Sequence, residues 1–325
     1  MESKNPKIGL IGLGYWGQNI ARNLNSLNKL FAICDNDQLR LNKFSKIYPN
    51  SKIFNSFDDL LNSEINAIVI ATPSEKHGKM VYKSLISNKN VFVEKPLCLN
   101  LAEGYKLKKL ADLKGLKLMV GHLLLYHPAF LSLKELVDKG KIGKLRYVYS
   151  NRLSLGKLRK EESALWSFAP HDISMILSLV KCEPTLVEAS GGFYLKENIA
   201  DTTITFMHFN KNVKAHVFVS WLHPFKDQRL IVIGDKGMIT FIDSNEREKK
   251  LLIYSHEVSW NGEEAVIDEA KGIPVPYNMN KEPLMEEIKS FIRWIKYDET
   301  PLSDVNEGLR VLKVLHSAEK KLKLI

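Results

Sequence analysis

Two segments carry residues suited to one kind of chemistry. Gly12-Leu13-Gly14-Tyr15-Trp16-Gly17 directly follows an apolar run, and Glu94-Lys95-Pro96 ends a later one. The three glycines each have a mechanical task. Gly12 permits a tight turn out of a strand, Gly14 lets main chain approach a pyrophosphate, and Gly17 lets the next helix pack against the strand. The phosphates would rest on the amino terminus of that helix, where unpaired N–H groups and the dipole favour anions. Tyr15 and Trp16 stand in the same turn. Asp35 closes the second apolar run with Asn36 beside it. A carboxylate there accepts hydrogen bonds from adenosine ribose hydroxyls and repels a 2′-phosphate, so the pattern favours NAD over NADP; Arg40 argues the other way. Ala71-Thr72-Pro73-Ser74 leaves another strand into a helix and would line the same ligand. His77, one helical turn on, reads equally as a ligand contact or as a partly exposed helix histidine. In an open α/β sheet ligands lie beyond the carboxyl ends of the strands. Glu94 and Lys95 would therefore face the crevice that holds the nicotinamide.

The elements that must position these residues follow from the hydrophobic pattern. Up to Gly121, short apolar runs (Lys7 to Ile11, Leu30 to Cys34, Ser51 to Phe54, Ala67 to Ile70, Val91 to Val93, Leu116 to Val120) alternate with helical stretches. Strands separated by helices mean βαβ units and a doubly wound parallel sheet of the Rossmann type. After residue 121 the pattern changes. A helix from Pro128 to Lys139 precedes a long strand, Leu145 to Leu155, and a helix from Ile173 to Val180 precedes strands in close succession from Leu186 to Tyr254. Val213, Ala215, Val217, Val219 and Trp221 alternate with less apolar neighbours, the period of a half-buried strand. Residues 257–280 read as irregular, and two helices, Glu282 to Tyr297 and Asn306 to Leu324, end the chain. The expectation is an α/β Rossmann domain over 1–121 and an α+β domain over 122–325 with a large, mostly antiparallel open sheet. Too few helices remain to cover both faces of that sheet, so its outer face is expected to form a subunit interface.

Composition limits the alternatives. The chain has 325 residues, 45% of them hydrophobic, which suits about two globular domains. No apolar stretch approaches the roughly 18 residues of a membrane span, and Ile8 to Leu13 is too short for a signal-peptide core, so a cytoplasmic protein is expected. Cys34, Cys98 and Cys182 are scattered and odd in number, which favours free thiols. His122 with His127, and His171 with Asp172, lack zinc-ligand spacing, so no metal is expected. The net charge of +10 suits an anionic ligand such as a nucleotide diphosphate, or simply reflects lysines spread over helix surfaces. No basic run interleaves with aromatics, so nucleic acid is not expected as a partner.

These stretches, together with Ile8 to Gly14, Ala71-Thr72-Pro73, Val93 to Pro96, Gly121-His122, Tyr126-His127-Pro128 and Pro170-His171-Asp172, resemble the Gfo/Idh/MocA oxidoreductase superfamily over essentially the whole chain. The resemblance implies hydride transfer at a sugar carbinol, with an open sheet mediating homodimers or homotetramers. It implies that Lys95 and His171 flank the nicotinamide. It also marks a departure: an aspartate common in the family four residues before that histidine is Ser167 here, so either the relay lacks one carboxylate or Asp172 serves nearby. Within the family, the tract from Gly121 through Trp166 to Trp221-Leu222-His223-Pro224 looks most like members of surface-polysaccharide biosynthesis, which oxidise nucleotide-linked amino sugars.

Oxidising a secondary alcohol needs a hydride acceptor, a base for the hydroxyl proton and a cation or donor for the developing alkoxide. On this reading NAD is the acceptor and His171, with an ordinary imidazole pKa of about 6.5, is the base. Lys95 bonds the same oxygen. Trp166 covers the nicotinamide or simply packs, and His122, Tyr126, Asn151, Arg152 and His223 line the sugar side. Alternatives are a dehydrogenase or reductase of free polyols such as inositols, and a non-catalytic NAD-binding regulator on the same fold. Retention of both Lys95 and His171 argues against the regulator.

Overall fold

The computed structural model describes residues 5–155, 158–159 and 162–322. In chain order the elements are β1 (Ile8–Ile11), α1 (Tyr15–Ser26), β2 (Leu30–Cys34), α2 (Gln38–Ile47), β3 (Lys52–Phe54), α3 (Phe57–Asn62), β4 (Ala67–Ile70), α4 (His77–Ile86), β5 (Asn90–Glu94), α5 (Leu101–Lys114) and β6 (Leu118–Gly121). There follow α6 (Pro128–Asp138), β7 (Leu145–Leu155), α7 (Ala164–Val180), β8 (Leu186–Gly192), β9 (Thr202–His208), β10 (Lys214–Ser220), β11 (Leu222–Gly234) and β12 (Met238–Ile242). The last are β13 (Leu251–Tyr254), β14 (Glu257–Asn261), β15 (Glu264–Asp268), β16 (Ile273–Pro274), α8 (Pro283–Tyr297) and α9 (Val305–Leu322). The expected end of the final helix at Leu324 lies outside the described residues. None of the described helices is long and apolar enough to cross a membrane.

Two compact units emerge. The first takes the described part of Met1–Leu123 together with Glu282–Leu312, and the second takes Leu124–Lys281 with the described part of Lys313–Ile325. A single cut after residue 121 therefore does not describe the grouping. Chain order places α8 and the start of α9 last, but their apolar faces pack on the first sheet: Phe291 meets Phe92 of β5 edge-on, with centroids 5.8 Å apart.

The first unit is built on a six-stranded parallel sheet in the order β3-β2-β1-β4-β5-β6. This is the doubly wound arrangement, in which the strand order reverses between β1 and β4 and opens a crevice at their carboxyl ends. β1 and β4 are buried at every residue, as strands covered on both faces must be. Asp37 caps α2, Ser56 caps α3 and Asn100 caps α5, each accepting a main-chain N–H of the first turn.

The second unit holds an eight-stranded sheet in the order β16-β13-β12-β11-β7-β10-β9-β8. Its pairings are antiparallel except β10 with β7. Pro128 opens α6 at its first position, where a missing N–H costs nothing. Two expectations need correction. The helix placed from Ile173 begins instead at Ala164 and carries Pro170 inside it; its near-continuous burial supports the helix although proline removes one i→i−4 bond. The tract 257–280, read as irregular, contains the hairpin β14–β15, which turns at Gly262 with φ +65.

Candidate active site

In the first unit the turn after β1 is shaped by what a side chain would strike. Gly12 has φ +95, and a Cβ there would lie 2.5 Å from the Ala71 carbonyl oxygen. A Cβ on Gly17 would lie 1.8 Å from the Gly12 carbonyl oxygen, so α1 seats directly on the turn. Gly14 differs. It is the N-cap of α1, no side chain caps the helix there, and a Cβ would meet nothing within 4 Å. No side chain of the N-cap residue takes up the first N–H groups of α1, and the main chain at Gly14 is open to a close approach, the arrangement that takes a phosphate. Tyr15, expected at the cofactor, is 87% exposed at the start of this helix.

Asp35 is buried at the end of β2. Its Oδ2 accepts the Leu13 N–H at 2.7 Å and its Oδ1 the Asp37 N–H at 2.9 Å. One carboxylate therefore ties the glycine turn to the end of β2 and keeps a further lone pair on each oxygen for ribose hydroxyls. Asn36 beside it is exposed. Arg40, the residue that argued for a 2′-phosphate, faces these carboxylates instead: its Nη1 is 3.7 Å from Asp35 Oδ2 and its Nε 3.2 Å from Asp37 Oδ2. The open Gly14 turn and the Asp35 carboxylate together fit a dinucleotide.

The end of β5 is anchored on both sides of Lys95. Glu94 Oε1 accepts the Trp16 indole N–H at 2.6 Å, so Trp16 joins α1 to β5. Gly121 of β6 leaves room for that carboxylate, since a Cβ would lie 3.1 Å from it. Burial pushes the Glu94 carboxyl up to about 7, against the pull of Trp16, Lys95 and His122. The Lys95–Pro96 peptide bond is cis. His77 is 1% exposed, with Nδ1 2.7 Å from the Pro96 carbonyl oxygen and Nε2 2.8 Å from that of Thr72. Thr72 donates its hydroxyl to Met80 Sδ, Pro73 follows it, and Ser74 opens a single 3-10 turn before α4.

His122 is buried and its Nδ1 bonds Glu307 Oε2 of α9. Glu287 of α8 is wholly buried, and neither of its oxygens has a hydrogen-bond partner among the described residues. Burial, with the charges of Glu94 and Glu307, pushes its carboxyl well above the ordinary range. Sequence reasoning missed both glutamates. The available signal was their spacing: Glu287 falls in the stripe Leu284, Ile288, Phe291, where a helix presents one face.

In the second unit α7 carries the residues expected on the sugar side. His171 is half-buried inside the helix, directly after Pro170, and Ser167 is buried one turn earlier. Trp166 is buried and meets His316 edge-on, with centroids 5.3 Å apart. Asp172 and Arg152 come together as a buried ion pair: Arg152 Nε is 2.6 Å from Asp172 Oδ2, Nη2 is 3.2 Å from Oδ1, and the Ser150 hydroxyl donates to Oδ1. Asn151 donates to Asp227 Oδ2 at 3.3 Å. Tyr126 is buried in a 3-10 turn before α6. His223 is half-buried, with Nδ1 2.8 Å from the Phe225 carbonyl oxygen and its ring against that of Phe225.

Comparison with known proteins gives a consistent result. Myo-inositol 2-dehydrogenase of Thermotoga maritima is 26% identical over 330 residues, 97% of this chain and 96% of that protein. UDP-N-acetylglucosamine 3-dehydrogenase of Acidithiobacillus ferrooxidans is 25% identical over 310 residues, 94% of each. A solved structure of UDP-N-acetylglucosamine 3-dehydrogenase from that organism matches with a TM-score of 0.84 at 23% identity, covering 98% of this chain and 97% of the other, which shows a shared fold. The family model described as oxidoreductase family, NAD-binding Rossmann fold, matches residues 6–122, and its C-terminal domain model matches residues 130–240. Since both stretches fall in one family and cover most of the chain, the protein belongs to the Gfo/Idh/MocA oxidoreductases, with an NAD-binding Rossmann domain at its start.

Proposed function

We propose that the protein is an NAD-dependent dehydrogenase that oxidises a secondary hydroxyl of a nucleotide-linked sugar, an amino sugar or sugar acid, for surface-polysaccharide synthesis. The observation that carries the reading is the anchored Glu94-Lys95-Pro96 strand end in the same unit as the open Gly14 turn and the Asp35 carboxylate. NAD, held by the amino terminus of α1 and the Asp35 carboxylate, would supply the acceptor for the hydride that leaves the carbinol carbon with its electron pair. His171 takes the hydroxyl proton, and the Lys95 ammonium bonds the oxygen as negative charge develops on it. The Arg152–Asp172 pair has a different task. With both Asp172 oxygens engaged by Arg152 and Ser150, it fixes α7 to β7 and so holds the turn of helix that bears His171.

The nucleotide-linked substrate is supported by similarity to UDP-N-acetylglucosamine 3-dehydrogenase over 94% of both chains, and the net charge of +10 suits a diphosphate. A second reading, oxidation of free inositols, is favoured by the match to myo-inositol 2-dehydrogenase over 97% of the chain. Formation of NADH across a panel of UDP-amino sugars, their uronic acids and inositols separates the two. Turnover confined to inositols would discard the nucleotide-sugar reading. On the preferred substrate, Lys95→Ala is expected to lower turnover by about 10²–10⁴-fold with NAD affinity nearly unchanged. His171→Ala is expected to lower turnover and remove the acidic limb of the pH profile. Near-normal turnover in Lys95→Ala would remove the mechanism, and a preserved acidic limb in His171→Ala would point to another base.

A further inference from the structure

His77 stands where a cofactor contact was expected, yet both of its ring nitrogens face main chain. Nδ1 is 2.7 Å from the Pro96 carbonyl oxygen and Nε2 is 2.8 Å from that of Thr72, and the side chain is 1% exposed. The two carbonyls belong to the two strand ends of the nucleotide unit: Thr72 leaves β4, and Pro96 directly follows Lys95. On the other side of Lys95, Glu94 is held by the Trp16 indole. Lys95 therefore lies between one neighbour fixed through its carboxylate and one fixed through its carbonyl. Each residue has two soft dihedrals, so anchoring both neighbours leaves the ammonium little freedom beyond its own side chain.

We propose that His77 is the positioning residue of Lys95, acting through the Pro96 carbonyl, and that its other ring nitrogen sets the Thr72 turn. The proposal rests on the reading of Lys95 as the carbinol-side cation. A neutral imidazole donates from one nitrogen only, whereas the protonated ring donates from both. Both partners are carbonyl oxygens that only accept, so the two contacts are hydrogen bonds together only when the ring carries its second proton; burial and the Lys95 charge work against that proton, and the two carbonyls and Glu75 favour it. Two variants divide its contacts. The amide nitrogen of asparagine stands near the place of Nδ1, and that of glutamine near the place of Nε2. His77→Asn thus keeps a donor for Pro96, His77→Gln keeps one for Thr72, and His77→Phe keeps the ring with neither.

The test combines three measurements on the full chain. These are competitive acetylation of lysines mapped by peptide mass, NADH affinity by fluorescence titration, and kcat on the best substrate of the panel. In His77→Phe, Lys95 labelling is expected to change several-fold relative to the other lysines, with kcat down about tenfold or more. His77→Asn should restore Lys95 labelling and kcat while NADH binds more weakly. His77→Gln should bind NADH normally with kcat still low. General loosening of the fold would alter many lysines alike and would not sort kcat from NADH affinity between the two amides. Wild-type Lys95 labelling and kcat in His77→Phe overturns the proposal, as does failure of His77→Asn to restore them. If His77→Phe does not fold, the Asn and Gln pair still decides, and the reverse of the expected pattern overturns it. Lys95→Ala with normal turnover would instead defeat the reading of Lys95, while the labelling comparison still judges His77.

Discussion

Glu287 is an ionisable group held where its charge is unwelcome. It is wholly buried, no described residue bonds its oxygens, and Glu94 and Glu307 set like charges against it. Glu94 is driven the same way by burial, to about 7, with Trp16, Lys95 and His122 opposing. In the unfolded chain both carboxyls ionise near the ordinary value of 4.5. Between that pH and their raised values the folded state binds more protons than the unfolded state. The stability they contribute is thus fully present below 4.5 and is lost as pH rises through the folded pKa, at about 1.4 kcal/mol per pH unit for each group. Buried His127 acts oppositely, since burial lowers it to about 4 and the unfolded state then binds the extra proton as pH falls. Glu287→Gln leaves that histidine in place, so the difference from wild type isolates the carboxyl. Urea denaturation from about pH 5 to pH 7 is expected to show Glu287→Gln gaining stability over wild type as pH rises. Parallel pH profiles for the two proteins would mean that Glu287 ionises within the fold.

At the scale of elements, the β1–α1 turn separates residues that make the fold from residues that leave space for a ligand. Gly17 cannot take a Cβ because the Gly12 carbonyl oxygen lies 1.8 Å from where it would stand. Gly14 can: its φ is −65 and nothing lies within 4 Å. Gly14→Ala is therefore expected to leave stability within about 0.5 kcal/mol while weakening NADH about tenfold or more, because the methyl occupies the approach of a pyrophosphate. Gly17→Ala should instead lower the melting temperature. Unchanged NADH affinity in Gly14→Ala would show that the phosphates lie elsewhere. The same elements explain what could be read beforehand. β2, β4 and β7 have the boundaries expected from sequence, because buried strands leave unbroken or alternating apolar runs. The first half of α7 is hard to read from sequence because a proline commonly ends a helix, whereas burial along its length sustains the helix through Pro170. The β14–β15 hairpin was passed over because its strands are short and β15 is wholly exposed, although Asn261-Gly262 is a strong turn signal. Side-chain partners were less legible than elements. Nothing in the local sequence says that Trp16 reaches Glu94, that His77 turns to main chain, or that Arg152 closes on Asp172, since each pairing depends on contacts between distant segments.

At the scale of the whole molecule, the question is what covers the second sheet. α7 packs against β7, β9 and β10 on one face. Side chains inward on β10 (Ala215, Val217, Val219) are buried, and those between them, His216 and Phe218, are not. Strand register aligns the outward side chains into a row. Phe206 of β9 stands opposite His216 of β10, which stands opposite Tyr149 of β7, while Ile231 of β11, next in register, is buried. His216 stacks on Tyr149 with centroids 5.3 Å apart and rings 8° from parallel, and bonds the Tyr147 hydroxyl at 2.7 Å. Phe206 remains 39% exposed. A contiguous apolar row on a sheet face marks an association surface, and a second copy of the same sheet offers the self-complementary patch a two-fold interface needs. Such an interface buries about 800 Å² on each partner, more than isolated contacts supply. Sedimentation at micromolar concentration is therefore expected to give a dimer or tetramer. Introducing glutamates with Phe206→Glu and Tyr149→Glu together would place charges opposite their symmetry mates and should shift the protein toward monomer. These residues lie outside the proposed catalytic set, so NADH affinity should survive the change. A wild-type protein that sediments as a monomer, or a double variant that keeps its oligomeric state, would assign this face to solvent and leave its aromatic row without a structural task.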